Sequence, residues 1–240
     1  MKAKTTANLF PSLPVEWLLP AILSTIAGAV DVIGFLALGG LFTAHITGNL
    51  VVLAAHYLTG GFGQIGPLLS VPVFIAVLGV VTLSLPNKTT TSTRRALLIL
   101  HATLLAAFLG SAAWLGPFPH PDAAGAVFSG MLGVAAMATQ NALIKVALPG
   151  SPSTAVMTTN TTQMAVDVAL FVRAKGDPTE LARARHRIGA ICPSVIGFIA
   201  GCSAGGALEL HFRLWALTLP VALALVAVPL GELWRDDTTP

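Results

Sequence analysis

Apolar residues in this chain run on rather than alternate. Stretches rich in Leu, Ala and Val cover residues 17–38, 65–85, 96–115, 123–148, 188–208 and 214–233. Each is close to the roughly 20 helical residues that cross a hydrocarbon layer of about 30 Å. A membrane barrel would show short segments alternating apolar and polar, so the pattern predicts an all-α polytopic membrane protein with six transmembrane helices. Two further segments, 41–58 and 154–172, open on polar clusters before turning apolar. Thr43, His45, Thr47 and Asn49 lead the first; Thr154, Thr158, Thr159, Asn160, Thr161, Thr162 and Gln163 lead the second. The apolar part of the first, residues 50–58, covers about 14 Å as a helix, half a bilayer.

The polar starts belong to an internal repeat. Residues 31–40 lie over 141–150 without a gap, and Thr47-Gly48-Asn49 lies over Thr158-Thr159-Asn160 after one inserted residue. Phe74-Ile75-Ala76 over Phe198-Ile199-Ala200 continues the match more weakly. The chain therefore divides into halves, 1–120 and 121–240, a period too long for a solenoid. In membrane chains, paired segments interrupted by polar residues at matching positions point to a substrate site.

Basic residues set the topology. If 41–58 and 154–172 each enter and leave on one side, twelve of the thirteen Lys and Arg residues fall on the cytoplasmic side and only Arg213 outside. If both segments span, the split is eight to five. Cytoplasmic loops carry the excess of Lys and Arg, so the re-entrant reading is preferred, with both termini cytoplasmic. Each half then holds three spans, an odd number, and the halves insert upside down relative to each other. This is a 3+3 inverted repeat whose half-helix starts approach near the midplane.

Composition agrees: 55% of residues are apolar and 10% charged, with a mean hydropathy of +0.81, far from the roughly 25% charged of soluble domains. The net charge of +3 resides in the cytoplasmic loops, and no basic stretch is interleaved with aromatics, so nucleic acid is not an expected partner. The expected partners are the lipid bilayer and a small-molecule or ion substrate. Residues 1–14 lack the apolar core and cleavage site of a signal peptide, so the first span is expected to be retained. Cys192 and Cys202 have no metal-ligand spacing, and neither a metal nor a cofactor is expected.

Chemistry concentrates where the chain breaks inside the membrane. Unpaired backbone groups are not tolerated in lipid, so such loops must be buried or line a cavity. Thr47 and Asn49 can cap a half-helix, Gly48 allows close approach, and the free N–H groups at a helix start attract an anion or a carboxylate. Asp31 lies roughly 10 Å deep in the first span, where an ionisable group marks an ion or proton path or locks the span to the Thr47 loop or to His45. Its repeat counterpart Asn141, preceded by Gln140, is neutral. The candidate site is Asp31, Thr43, His45, Thr47, Gly48, Asn49, Gln140, Asn141, Thr158, Thr159, Asn160 and Gln163. His45 is the residue suited to titrate beside Asp31. His56 and Asp167, each seven residues after a repeated asparagine, read as interfacial side chains, and His101 as a core histidine.

Gly201-Cys202-Ser203-Ala204-Gly205 spells the G-x-S-x-G of serine hydrolases, which needs a strand-to-helix elbow. Here it lies in an apolar helix whose Gly197, Gly201 and Gly205 form a ridge for close helix packing, a surface that also suits a second copy of the chain.

Ala29-Val30-Asp31 followed by Leu38-Gly39-Gly40, Phe42 and Thr47-Gly48-Asn49 resembles the opening signature of the YoaK-like family, bacterial inner-membrane proteins of unknown function. Gln140-Asn141-Ala142 and Thr158-Thr159-Asn160-Thr161 resemble its second signature, with Thr159 where a glycine is common. The resemblance implies about six spans and a location in the bacterial cytoplasmic (inner) membrane. The expected function is a secondary transporter or channel for a small polar solute, an anion or a proton-coupled one, and not an enzyme. The alternatives are a membrane sensor or scaffold that does not transport and, third, an intramembrane hydrolase.

Overall fold

A computed structural model of the chain describes residues 15–61, 63–86, 89–173 and 178–234. Both termini, and with them Lys2, Lys4 and Arg235, lie outside the described residues, as do Lys88 and Lys175. Among the described residues the chain is helical, without strands. The helices are α1 (Val15–Ala37), α2 (Ile46–Thr59), α3 (Ile65–Leu83), α4 (Thr91–Leu115), α5 (Ala124–Ala142), α6 (Met157–Arg173), α7 (Pro178–Phe212) and α8 (Thr218–Glu232). A wide helical turn at Leu143–Ala147 extends α5, and a tight one at Arg213–Leu217 joins α7 to α8.

Five helical stretches are long and apolar enough to cross a membrane: α1, α3, α4, α5 with its extension, and the run Leu181–Glu232. All six expected segments are helical, but the last two are not parted by a loop. The stretch 209–213, in which Glu209, His211 and Arg213 interrupt the apolar run, stays helical, and Arg213, at φ 55°, makes the turn. Helix starts also run ahead of the apolar stretches. α4 begins at Thr91 because the Thr90 hydroxyl accepts the Thr93 N–H at 3.2 Å, a cap that sets the boundary independently of hydropathy.

α1 and α5 form the buried centre, and α3 is the most exposed of the long helices. α1 and α7 run parallel in close contact. Trp17 meets Gly189, Ala21 meets Gly197, Thr25 meets Gly201 and Ala29 meets Gly205. A Cβ on Gly201 would lie 2.1 Å from the Thr25 carbonyl oxygen, so only glycine permits this crossing. The ridge expected to suit a second copy is thus covered by α1 of the same chain. α5 runs antiparallel to α1, bringing Gln140 beside Leu23 and Gly130 beside Leu38 and Leu41.

The packing pairs recur. α1 lies on α7 and α8, and α5 lies on α3 and α4; α2 lies on α3, and α6 on α7; α4 meets α8, and α1 meets α5. Large apolar side chains such as Leu50, Tyr57, Leu83, Trp114, Val172 and Leu210 are exposed around the outside, an arrangement that suits a lipid environment.

Between α1 and α2 the chain folds back on itself. After α1, Gly39 at φ 65° and Gly40 at φ 84° reverse the chain, left-handed conformations natural to glycine. Residues 41–45 descend beside α1, and α2 climbs back. At the top Gly39 and Gly63 touch: a Cβ on Gly63 would lie 2.8 Å from the Gly39 carbonyl. The Asp122 carboxylate secures this end by accepting the N–H groups of Gly63 and Ile65, both at 2.9 Å. The counterpart, residues 148–173, leaves α5 at the opposite end of the bundle, where Thr89 Oγ1 donates to the Val146 carbonyl at 3.0 Å. Gly150, aligned with Gly40, has φ 80°.

Candidate functional site

Residues 41–45 carry backbone N–H groups into the interior without a helix to satisfy them, and Asp31 receives them. Its Oδ1 accepts the Thr43 N–H at 2.8 Å, the Thr43 hydroxyl at 3.1 Å and the Ala44 N–H at 2.6 Å. Its Oδ2 meets Nδ1 of His45. Asp31 and Thr43 are buried, while about a third of the His45 side chain is exposed. Asp31 therefore anchors the descending loop to α1, one of the two roles expected for it. The N–H groups it accepts belong to Thr43 and Ala44, ahead of the first turn of α2, which has no side-chain cap.

Asn49 completes the loop. Its Oδ1 accepts the Phe42 N–H at 2.8 Å, and its Nδ2 donates to the Phe42 carbonyl and to Ser70 Oγ, each at 2.7 Å. Ser70 passes its own proton to the Pro67 carbonyl at 2.7 Å. One amide thus stands in for a strand neighbour to Phe42 and ties α2 to α3. Asn49 is fully buried, so its polar atoms are spent on structure rather than turned to a solute.

The second half repeats the device in part. Asn160 Nδ2 donates to the Ser153 carbonyl at 2.5 Å, seven residues back, as Asn49 does to Phe42. Thr154, aligned with Thr43, is held by Gln140, whose Nε2 also donates to the Leu23 carbonyl across to α1, at 2.8 and 3.0 Å. Asn141 bonds back to Met137 in its own helix at 2.9 Å. Ala44 and Ala155, aligned in the repeat, share one small buried cluster with Ala27 and Met137, also aligned. The two loops therefore converge at the centre of the molecule. Thr158, Thr159 and Gln163 stay apart, exposed on α6.

A cleft of about 470 Å³ opens beside the first loop, within the range of small-molecule sites. Asp31 and His45 lie in its wall with Thr47 and Gly48, and Phe35, Phe42, Phe198 and Cys202 supply the rest of the named lining together with Val32. The His45 ring stands edge-on to Phe198 at 5.4 Å and to Phe42 at 6.2 Å, and Phe35 lies 5.0 Å from Phe42. Of the twelve expected residues, the structure brings Asp31, His45, Thr47 and Gly48 into this cleft. Thr43 and Asn49 lie behind it, and the second-half residues are elsewhere.

Sequence reasoning did not select Phe35, Phe198, Cys202, Ser70 or Asp122. Phe198 and Cys202 reach the cleft because glycines let α7 approach α1, a consequence of the ridge that was legible. Asp167 takes a firmer role than an interfacial side chain. Arg187 Nε donates to its two oxygens at 2.9 and 3.1 Å, and Arg187 Nη2 to Oδ1 at 2.6 Å, pinning α6 to α7. His56 Nδ1 lies 3.3 Å from the Gly63 carbonyl, and His101 is fully buried with Nδ1 at 3.0 Å from the Ala136 carbonyl. Cys192 and Cys202 are free thiols, and no cluster of metal-ligating side chains occurs among the described residues. Ser203 is exposed in the middle of α7, without a strand-to-helix elbow.

A family model described as "Protein of unknown function (DUF1275)" matches residues 19–230. The chain belongs to the DUF1275 family. That match takes in both loops, the cleft and all twelve candidate residues, so the resemblance seen at the two signature stretches extends over nearly the whole chain. No curated protein and no solved structure matches the chain, and the DUF1275 assignment carries no activity with it. What this member does must therefore be argued from its own geometry.

Proposed function

We propose that the chain is a secondary transporter or channel that passes a small polar solute across the bacterial cytoplasmic membrane, with the Asp31–His45 cleft as its binding site. One observation carries the reading: a carboxylate and an imidazole in contact about 9 Å inside the end of α1, lining an open cleft. Ionisable groups at such depth are costly and mark solute or proton pathways.

The repeat supports it. Exchanging α1 to α4 for α5 to α8 carries the set of packing pairs described above onto itself, as an inverted repeat would. α7 and α8 then count as separate spans, dividing at Arg213 and giving six. The contact of Gly39 with Gly63 fits a re-entrant hairpin, its polar start deep and both ends at one surface. Lys145, Arg94, Arg95 and the α7 arginines gather at the opposite end from Arg213, which fits a cytoplasmic location for that end.

The test is flux in proteoliposomes that enclose a pH-sensitive dye and face a panel of amines, carboxylates and sugars. At least one member should drive a luminal pH change that Asp31→Asn and His45→Gln abolish. Full flux in both variants would remove the cleft from the pathway. Silence across the panel would favour a non-transporting sensor or scaffold.

A further inference from the structure

The cleft's own charge balance says which sign of solute it suits. Asp31 Oδ1 already accepts three hydrogen bonds and Oδ2 faces His45, so the carboxylate is enclosed. The group it presents outward is the imidazole, whose Nε2 lies across the ring from the bonded Nδ1. Cys202 is the other titratable side chain in the lining, and no Lys or Arg is among the lining residues. α2 and α7, which border the cleft, add aromatic and hydroxyl groups but no further charge there.

An enclosed carboxylate in a low-dielectric site calls for one compensating positive charge. A second proton on the His45 ring supplies it, and so does a cationic solute seated against the neutral ring. Both together leave the site at +1, and an anion beside the protonated ring leaves it at −1. The balanced states are therefore two, and they exclude each other. Phe35, Phe42 and Phe198 line the cleft with aromatic rings, a side-chain type that attracts a cation and accepts an apolar body.

We propose that the cleft takes a monovalent organic cation with an apolar body, an amine or a quaternary ammonium, and exchanges it for a proton at the Asp31–His45 pair. No covalent step is involved: the cation enters, the ring proton leaves to water, and the reverse occurs when the cation departs. Exchange across the membrane rests on the transport reading above, whereas competition between cation and proton does not.

The probe is benzyltrimethylammonium, a permanent cation, with phenylacetate as its anionic counterpart, added to the purified full-length protein in detergent. At a pH low enough for the His45 ring to carry its second proton, benzyltrimethylammonium should raise the unfolding temperature and release about one proton per cation into weakly buffered solution. Its apparent affinity should fall roughly tenfold per pH unit once His45 is protonated. His45→Gln should keep the binding and lose both the proton release and the pH dependence, and a folded Asp31→Asn should lose the binding. Stabilisation by phenylacetate but not by the cation, no stabilisation by the cation, or cation binding with no released proton would each overturn the inference. Cation binding with proton release, but no cation-driven proton movement in proteoliposomes, would sink transport and leave this inference standing. Proton-coupled flux of another solute, blind to the cation, would do the reverse.

Discussion

Asp31 and His45 are fourteen residues apart in the chain, yet the carboxylate of one meets the imidazole of the other inside the protein. The contact exists because the chain folds back after α1 and lays its loop against the helix it has just left. Asp31 thereby serves two purposes, holding the Thr43 and Ala44 N–H groups and placing His45 at the edge of a cleft.

Those purposes separate on mutation. Asp31→Ala leaves two buried backbone donors and the Thr43 hydroxyl without their acceptor, which should cost about 3–5 kcal/mol. Asp31→Asn keeps one acceptor oxygen and should cost less, about 1–2 kcal/mol. Thermal unfolding of the purified proteins checks the order; equal melting temperatures would mean that the loop does not depend on this anchor.

Asn49 should prove structural. Asn49→Ala removes three hydrogen bonds in a buried place and should lower stability by about 2–4 kcal/mol. Ser70→Ala, which removes one of the three, should cost about 1 kcal/mol. A double-mutant cycle read by unfolding should show coupling between them, because the Asn49 Nδ2 to Ser70 Oγ bond is shared.

Gly201→Leu should prevent the α1–α7 crossing and with it the accumulation of folded protein, since even a Cβ there meets the Thr25 carbonyl. Ser203→Ala, two residues away on the exposed face, should stay within about 0.5 kcal/mol of the parent and leave activity unchanged. Yield of monodisperse protein by size-exclusion chromatography reports the first, and the flux assay the second.

Asp167→Asn should loosen α6 from α7 by weakening the bidentate contact with Arg187. Asp167 is buried but the Arg187 side chain is 39% exposed, so with solvent screening the change should cost about 1–2 kcal/mol. Because α6 lines none of the Asp31–His45 cleft, cation binding in the surviving folded fraction should keep its affinity, measurable by titration below the melting temperature.

The long helices were legible because apolar runs mark them in local pattern. The polar clusters ahead of α2 and α6 were legible too, as places where the chain leaves regular helix. Partners were not. Nothing near Asn49 names Ser70, and nothing near Gly63 names Asp122, because those contacts depend on how helices far apart in sequence cross. The cleft escaped for the same reason: its aromatic wall comes partly from Phe198, delivered by glycines whose purpose was visible but whose partner helix was not. The join of α7 to α8 was missed because a polar stretch can remain helical where hydropathy suggests a break.

Side-specific labelling of single-cysteine proteins tests the hairpin arrangement most directly. In a cysteine-free background made with Cys192→Ser and Cys202→Ser, Gly60→Cys and Thr91→Cys are treated in intact cells with a membrane-impermeant maleimide. The account predicts that Gly60→Cys reacts from outside and that Thr91→Cys reacts only once the cells are opened. Labelling of Thr91→Cys in intact cells, with Gly60→Cys protected, would mean that α2 and its loop cross the membrane, and would contradict the re-entrant arrangement.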